Sequence, residues 1–161
     1  MEKKKVYVET TVVSDATALP SRDVIQLGRQ LITKEWWQTA SERFDLYSSL
    51  VVARETRKGD PEAVARRVAA LAGIPELDVT EREYALARKL IAGHAVPREY
   101  LDDALHIAVA ATQKMDYLVS WNFKHITNGQ TIPIIERICM ESGYVCPRIC
   151  TPQMLMEGEV E

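Results

Sequence analysis

Cysteine is scarce in this chain. Cys139, Cys146 and Cys150 all lie late, and their number is odd and their spacing fits no common zinc pattern. A disulfide-stapled fold is excluded, and the thiols read as buried or half-exposed structural groups. No apolar run approaches the roughly 20 residues needed to cross a bilayer. No apolar core follows the opening Met1-Glu2-Lys3-Lys4-Lys5, so a secretory signal is not expected. The expectation is a soluble, cytoplasmic protein with no membrane partner. Positive charge is not in excess either. A net charge of −3 excludes a protein coated in basic surface for nucleic acid. It does not exclude an enzyme that cuts nucleic acid, because an acidic metal site adds to the negative count. Repeats, low-complexity segments and a dividing linker are also missing. The 161 residues therefore read as one domain, 1–161, with a polar tail from about 152 to 161.

What is present alternates between two periods. Val6-Tyr7-Val8 reads as a central strand ending near Glu9. Ser21 reads as the N-cap of a helix to about Gln38, with Val24, Leu27, Leu31 and Ile32 on its buried face. Asp45 to Ser48 reads as a strand leading into a short helix that carries Glu55. Gly59 stops that helix, and Asp60-Pro61 opens the next as N-cap and first-turn proline, with Val64, Val68 and Leu71 as its buried stripe. Leu77 to Val79 is a short strand. Thr80-Glu81-Arg82-Glu83 is a capping box for a helix to about Ala92. Pro97 is expected to start a helix to about Lys114, apolar almost all round from Ala104 to Ala111 and so buried. That start would place Asp103 about two turns in, beyond the reach of the helix dipole. Tyr117 to Ser120 is a strand, Ile132 to Ser142 a helix, and Arg148 to Cys150 a last strand. The alternation predicts an α/β fold with a mostly parallel sheet covered on both faces.

Four polar residues fall where such a fold would use them. Glu9 and Asn122 each follow a strand, and sites in parallel sheets form outside the carboxyl ends of strands. Glu55 and Asp103 come from flanking helices. Carboxylates from separate elements repel one another unless a divalent cation holds them. This points to Mg²⁺ or Mn²⁺ and so to phosphate-ester chemistry. Asn122 reads equally well as a turn residue. His106, one helical turn after Asp103, reads as a hydrogen-bonded core histidine. Lys124 and His125 put a cation and an imidazole beside the proposed site, as phosphate contacts or as ordinary surface groups. Thr10 and Thr11 follow Glu9 and could donate to phosphate or orient the carboxylates. Arg54, Arg57, Lys58, Arg66 and Arg67 form a local basic cluster near Glu55, of the kind solvated helix faces often show. Trp36 and Trp37 are adjacent, so one is expected to pack and the other to face a partner surface.

Read as words, the segments are similar to one family. Val6-Tyr7-Val8-Glu9-Thr10-Thr11 resembles the first strand of PIN-domain ribonucleases, and Tyr47 to Glu55 resembles their second acidic segment. Asp103-Ala104-Leu105-His106-Ile107-Ala108 resembles their third acidic motif, and Leu118-Val119-Ser120-Trp121-Asn122-Phe123 stands where their fourth falls. The resemblance covers nearly the whole chain, in order. It implies a three-layer α/β/α sandwich and Mg²⁺- or Mn²⁺-dependent cleavage of RNA, as in VapC-type toxins of toxin–antitoxin pairs. It further implies a protein antitoxin and a homodimer. By position, Glu9, Glu55 and Asp103 would be the metal-binding carboxylates and Asn122 the fourth site residue. Two positions depart from the pattern: Glu9 stands where Asp is usual, and Asn122 where an acid is usual.

Overall fold

The computed structural model describes residues 2–157. Five strands form one sheet: β1 (Lys5–Val8), β2 (Asp45–Ser49), β3 (Glu76–Leu77), β4 (Tyr117–Val119) and β5 (Arg148–Cys150). Their order is β3-β2-β1-β4-β5, and every pairing is parallel. Tyr7 lies opposite Tyr47 of β2 and Leu118 of β4. Side chains alternate across a strand, yet Val6, Tyr7 and Val8 are all fully buried. Helices must therefore cover both faces of the sheet, as the apolar run predicts.

Seven helices provide that cover: α1 (Thr10–Thr17), α2 (Val24–Arg43), α3 (Leu50–Thr56), α4 (Pro61–Leu71), α5 (Glu81–Ala92), α6 (Leu101–Thr112) and α7 (Ile132–Glu141). α1 packs on α2 and α4, while α5 packs on α6 and α7. The α5 capping group is as expected, with Glu83 accepting from the Thr80 amide at 3.1 Å. Glu83 also accepts from the Thr112 hydroxyl at 2.9 Å, which ties α5 to α6. Residues 104 to 112 of α6 are buried without a break.

Several boundaries and faces differ from the sequence reading. α6 starts at Leu101, because Pro97 to Tyr100 closes a separate turn with the Tyr100 amide on the Pro97 carbonyl at 3.0 Å. Asp103 is consequently in the first helical turn, where the positive end of the helix favours an anion. α2 begins after an Asp23 N-cap, and its buried residues are Gln30, Thr33, Trp36 and Ala40. Val24 and Leu31, expected inside, are exposed. On α4 no residue is fully buried, and Val68 is exposed. The segment from 152 is not a free polar tail: Pro152–Leu155 is a 3₁₀ turn, and Arg43 Nη1 donates to the Leu155 carbonyl at 2.8 Å. Residues 158–161 lie outside the described chain. Among the described residues no helix is long and apolar enough to cross a membrane.

Candidate active site at the carboxyl edge of the sheet

The strand order reverses direction between β1 and β4. The chain leaves β1 toward β2 and returns on the opposite side as β4, which opens a crevice at the carboxyl ends of these two strands. Glu9 is the first residue after β1, and its amide donates to the Val119 carbonyl of β4 at 3.1 Å. Its carboxylate is almost wholly buried and collects three bonds. Thr11 Oγ1 and Ser120 Oγ each donate to Oε1 at 2.6 Å, and the Thr11 amide donates to Oε2 at 3.0 Å. Glu9 thus caps α1 and stitches β1 to the residue after β4. Both oxygens thus have protein donors, two on Oε1 and one on Oε2.

Glu55 and Asp103 are placed differently. α3 packs on α6, and Arg54 pairs with Asp102 across that contact. Glu55 Oε1 meets the Thr10 hydroxyl at 2.8 Å and His106 Nε2 at 2.6 Å. Asp103 Oδ2 meets His125 Nδ1 at 2.8 Å. Glu55 Oε2 and Asp103 Oδ1 have no hydrogen-bond partner among the described residues. Neither is counted among buried unpaired atoms, so solvent reaches both. The side chains keep 26% and 16% of their surface, enough to admit a small ligand.

The centre of the arrangement is His106, fully buried, a feature the sequence marks only as a core histidine. Tyr7 Oη lies 2.7 Å from His106 Nδ1 and 2.7 Å from Ser49 Oγ. Ser49 Oγ also accepts the Val51 and Val52 amides at the start of α3. Two accepted bonds fill the Ser49 lone pairs, so its proton goes to Tyr7, the Tyr7 proton to His106 Nδ1, and the His106 Nε2 proton to Glu55. Burial opposes charge on this ring. The Glu55 bond and the charges of Glu9, Glu55 and Asp103 outweigh burial and raise its pKa. A second ring proton would turn the Tyr7 hydroxyl onto the already filled Ser49 oxygen, so the uncharged ring is the form the hydrogen bonds fit. Burial likewise works to raise the Glu55 carboxyl, but the His106 hydrogen bond above all, with the Thr10 hydroxyl and the charge of Arg54, holds it below its usual range. Burial pushes the Tyr7 phenol well above its usual value, so it stays a donor.

Asn122 occupies the turn reading. Its Oδ1 accepts the His125 amide at 3.0 Å, and its own amide donates to Ser120 Oγ at 2.9 Å. His125 is buried rather than on the surface, its ring stacked on Tyr100 with centroids 4.0 Å apart. Lys124 is exposed, with its ammonium 5.9 Å from the Tyr100 ring centre. Thr10 and Thr11 orient carboxylates, the second of their two expected roles. Of the tryptophan pair, Trp36 is buried and Trp37 half-buried against the core, so neither is the exposed partner residue expected.

Among the described residues no three His, Cys, Asp or Glu side chains are grouped closely enough to hold one ion, and each Glu9 oxygen already accepts at least one protein hydrogen bond. Glu55 and Asp103 each retain one solvent-reached oxygen. Two carboxylates suffice for Mg²⁺ when water and phosphate oxygens complete the octahedron. Comparison of the chain with family models, with curated proteins and with solved structures finds no match.

Proposed function

We propose that the protein is a metal-dependent endoribonuclease of the PIN type, acting as the toxin of a toxin–antitoxin pair. One observation carries the reading. Glu55 of α3 and Asp103 of α6, two helices that pack together, each have one oxygen bonded to an imidazole and the other free. The motif resemblance supports it independently. Glu55 and Asp103 would hold Mg²⁺ or Mn²⁺, and Glu9 would set the distance between β1 and β4 beneath them. When bound, such an ion lowers the pKa of water and neutralises charge gathering on phosphate oxygens. The chain's own groups do the rest. His106 fixes the Glu55 carboxylate from below, His125 fixes Asp103 from the side, and Lys124 offers a cation to the backbone phosphate. The protein partner, an antitoxin or a second copy, is assigned to the exposed apolar face of Leu19, Val24, Ile25 and Leu31.

The test is cleavage of a mixed RNA pool with Mg²⁺ or Mn²⁺ by wild type and Asp103→Asn. Loss of about 100-fold or more is expected, the scale at which removing one preorganised charge acts on phosphoryl chemistry. Equal cutting by the two proteins overturns the assignment. A second reading, a non-cleaving RNA-binding PIN domain, is favoured by two features: Glu9 is committed to Thr11 and Ser120, and Asn122 is neutral and committed to a turn. Asn122→Asp keeps the acceptor for the His125 amide, so the turn survives. A variant that cuts where wild type does not selects this second reading.

A further inference from the structure

A cleft of about 770 Å³ lies beside Asp103, between the end of α5, the turn before α6 and the loop after β4. Its lining holds four nitrogen-bearing side chains, His94, Arg98, Lys124 and His125, and no acid. Neither Arg98 nor Lys124 pairs with a carboxylate among the described residues. This is unexpected in a chain with net charge −3. Ile91, Ala95 and Val96 form an apolar wall in the same cleft. Tyr100 stands next to it, 42% exposed, with the Lys124 ammonium toward its ring. His125 joins the cleft to the site: Nδ1 is on Asp103, and Nε2 has no partner among the described residues and is not sealed from solvent.

We propose that this cleft is a nucleotide subsite, holding a phosphate on Arg98 and Lys124 and an unpaired base against Tyr100 and the Ile91–Val96 wall. Unpaired cations over a low-dielectric wall concentrate field on an anion. An apolar wall and an aromatic face would be wasted on inorganic phosphate but suit a base turned out of its stack. The volume exceeds what a phosphate alone would fill. The subsite rests on the RNA reading of the adjoining carboxylates, and it fixes where the strand runs on leaving Asp103. With Nδ1 donating to Asp103, His125 Nε2 can accept from a base N–H or a ribose 2′-hydroxyl of the same strand, so Asp103 and the subsite share one imidazole.

The experiment separates this from cleavage by measuring binding without divalent ions. Fluorescence anisotropy of a short single-stranded oligoribonucleotide in chelator is compared for wild type, Arg98→Ala, Lys124→Ala, Tyr100→Ala and Tyr100→Phe across a salt series. Arg98→Ala and Lys124→Ala should each weaken binding and lower the salt slope by about one. Tyr100→Ala should weaken binding about tenfold at unchanged slope, with Tyr100→Phe restoring it. Wild-type binding by all four variants overturns the subsite, whether or not the protein cuts RNA. Binding that depends on Arg98 and Tyr100 in a protein whose Asp103→Asn variant cuts as fast as wild type keeps the subsite and removes the catalytic assignment. Displacement of the oligonucleotide at equal concentration by an acidic peptide of matched charge overturns the nucleotide in favour of a protein ligand.

Discussion

At the scale of single residues, Ser49, Tyr7, His106 and Glu55 form a largely buried chain of hydrogen bonds in which each group depends on the next. Tyr7→Phe deletes one oxygen and leaves two orphans, the Ser49 proton and His106 Nδ1. Loss of about 1–3 kcal/mol of stability is expected from urea unfolding, the cost of stranding buried polar groups. Asp15 behaves in the opposite sense. Burial raises its carboxyl to about 6, only partly offset by the Gln26 amide. Its folded value lies above the unfolded one, near 4, so the folded state holds the extra proton in between. Stability should therefore fall as pH rises from about 4 to about 6 and stay reduced above that, by at most about 3 kcal/mol. Asp15→Asn should flatten this slope and raise the melting temperature at pH 7.5. A slope unchanged in the variant would assign it elsewhere. Glu9 shows what a sequence conveys at this scale. Its position after β1 marks a carboxylate at the sheet edge, but only the folded chain brings Thr11 and Ser120 to its oxygens, 2 and 111 residues away.

At the scale of elements, legibility follows the kind of signal. β1 and α6 announce themselves because burial on all sides demands apolar residues at every position. The α5 start is legible because its cap is local, Thr80 to Glu83. α2 misleads because its buried face includes Gln30 and Thr33. Gln30 accepts the Ser21 amide at 2.9 Å, and Thr33 accepts the Trp121 indole at 2.8 Å. Hydropathy cannot see that a polar side chain is satisfied inside, so the eye is drawn to Val24 and Leu31 on the wrong face. Gly93 is another element-level device. A methyl there would come 2.5 Å from Ile138 Cδ1, so the end of α5 lies close against α7. Gly93→Ala should cost about 1–3 kcal/mol by overpacking. Adding Ile138→Val removes the clashing carbon, and the double variant should be more stable than Gly93→Ala alone in denaturant unfolding. Simple additivity of the two losses would show that the contact is not the cause.

At the scale of the whole molecule, β5 closes one edge of the sheet on β4, with Leu118 opposite Ile149. Cys146 before it is half-buried and Thr151 after it is buried. Truncation after Ser142 should expose the β4 edge with its apolar residues Leu118 and Val119. An unpaired apolar edge is a template for association, so the truncated chain should move from the soluble to the pelleted fraction. A soluble, monomeric product would mean that β5 is dispensable to the sheet.

The parallel order of the sheet also bears on time. β1 is the first strand made, yet its second neighbour, β4, is among the last. The Ser120 hydroxyl that completes Glu9 is encoded 111 residues downstream. At roughly 5–20 residues per second, about 5–20 s of synthesis separate the two. Glu9, Glu55 and Asp103 sit on segments that cannot be mutually arranged until β4 has emerged and threaded beside β1. A growing chain on the ribosome thus carries the three carboxylates without their arrangement, which arrives only with nearly the last quarter of the polypeptide.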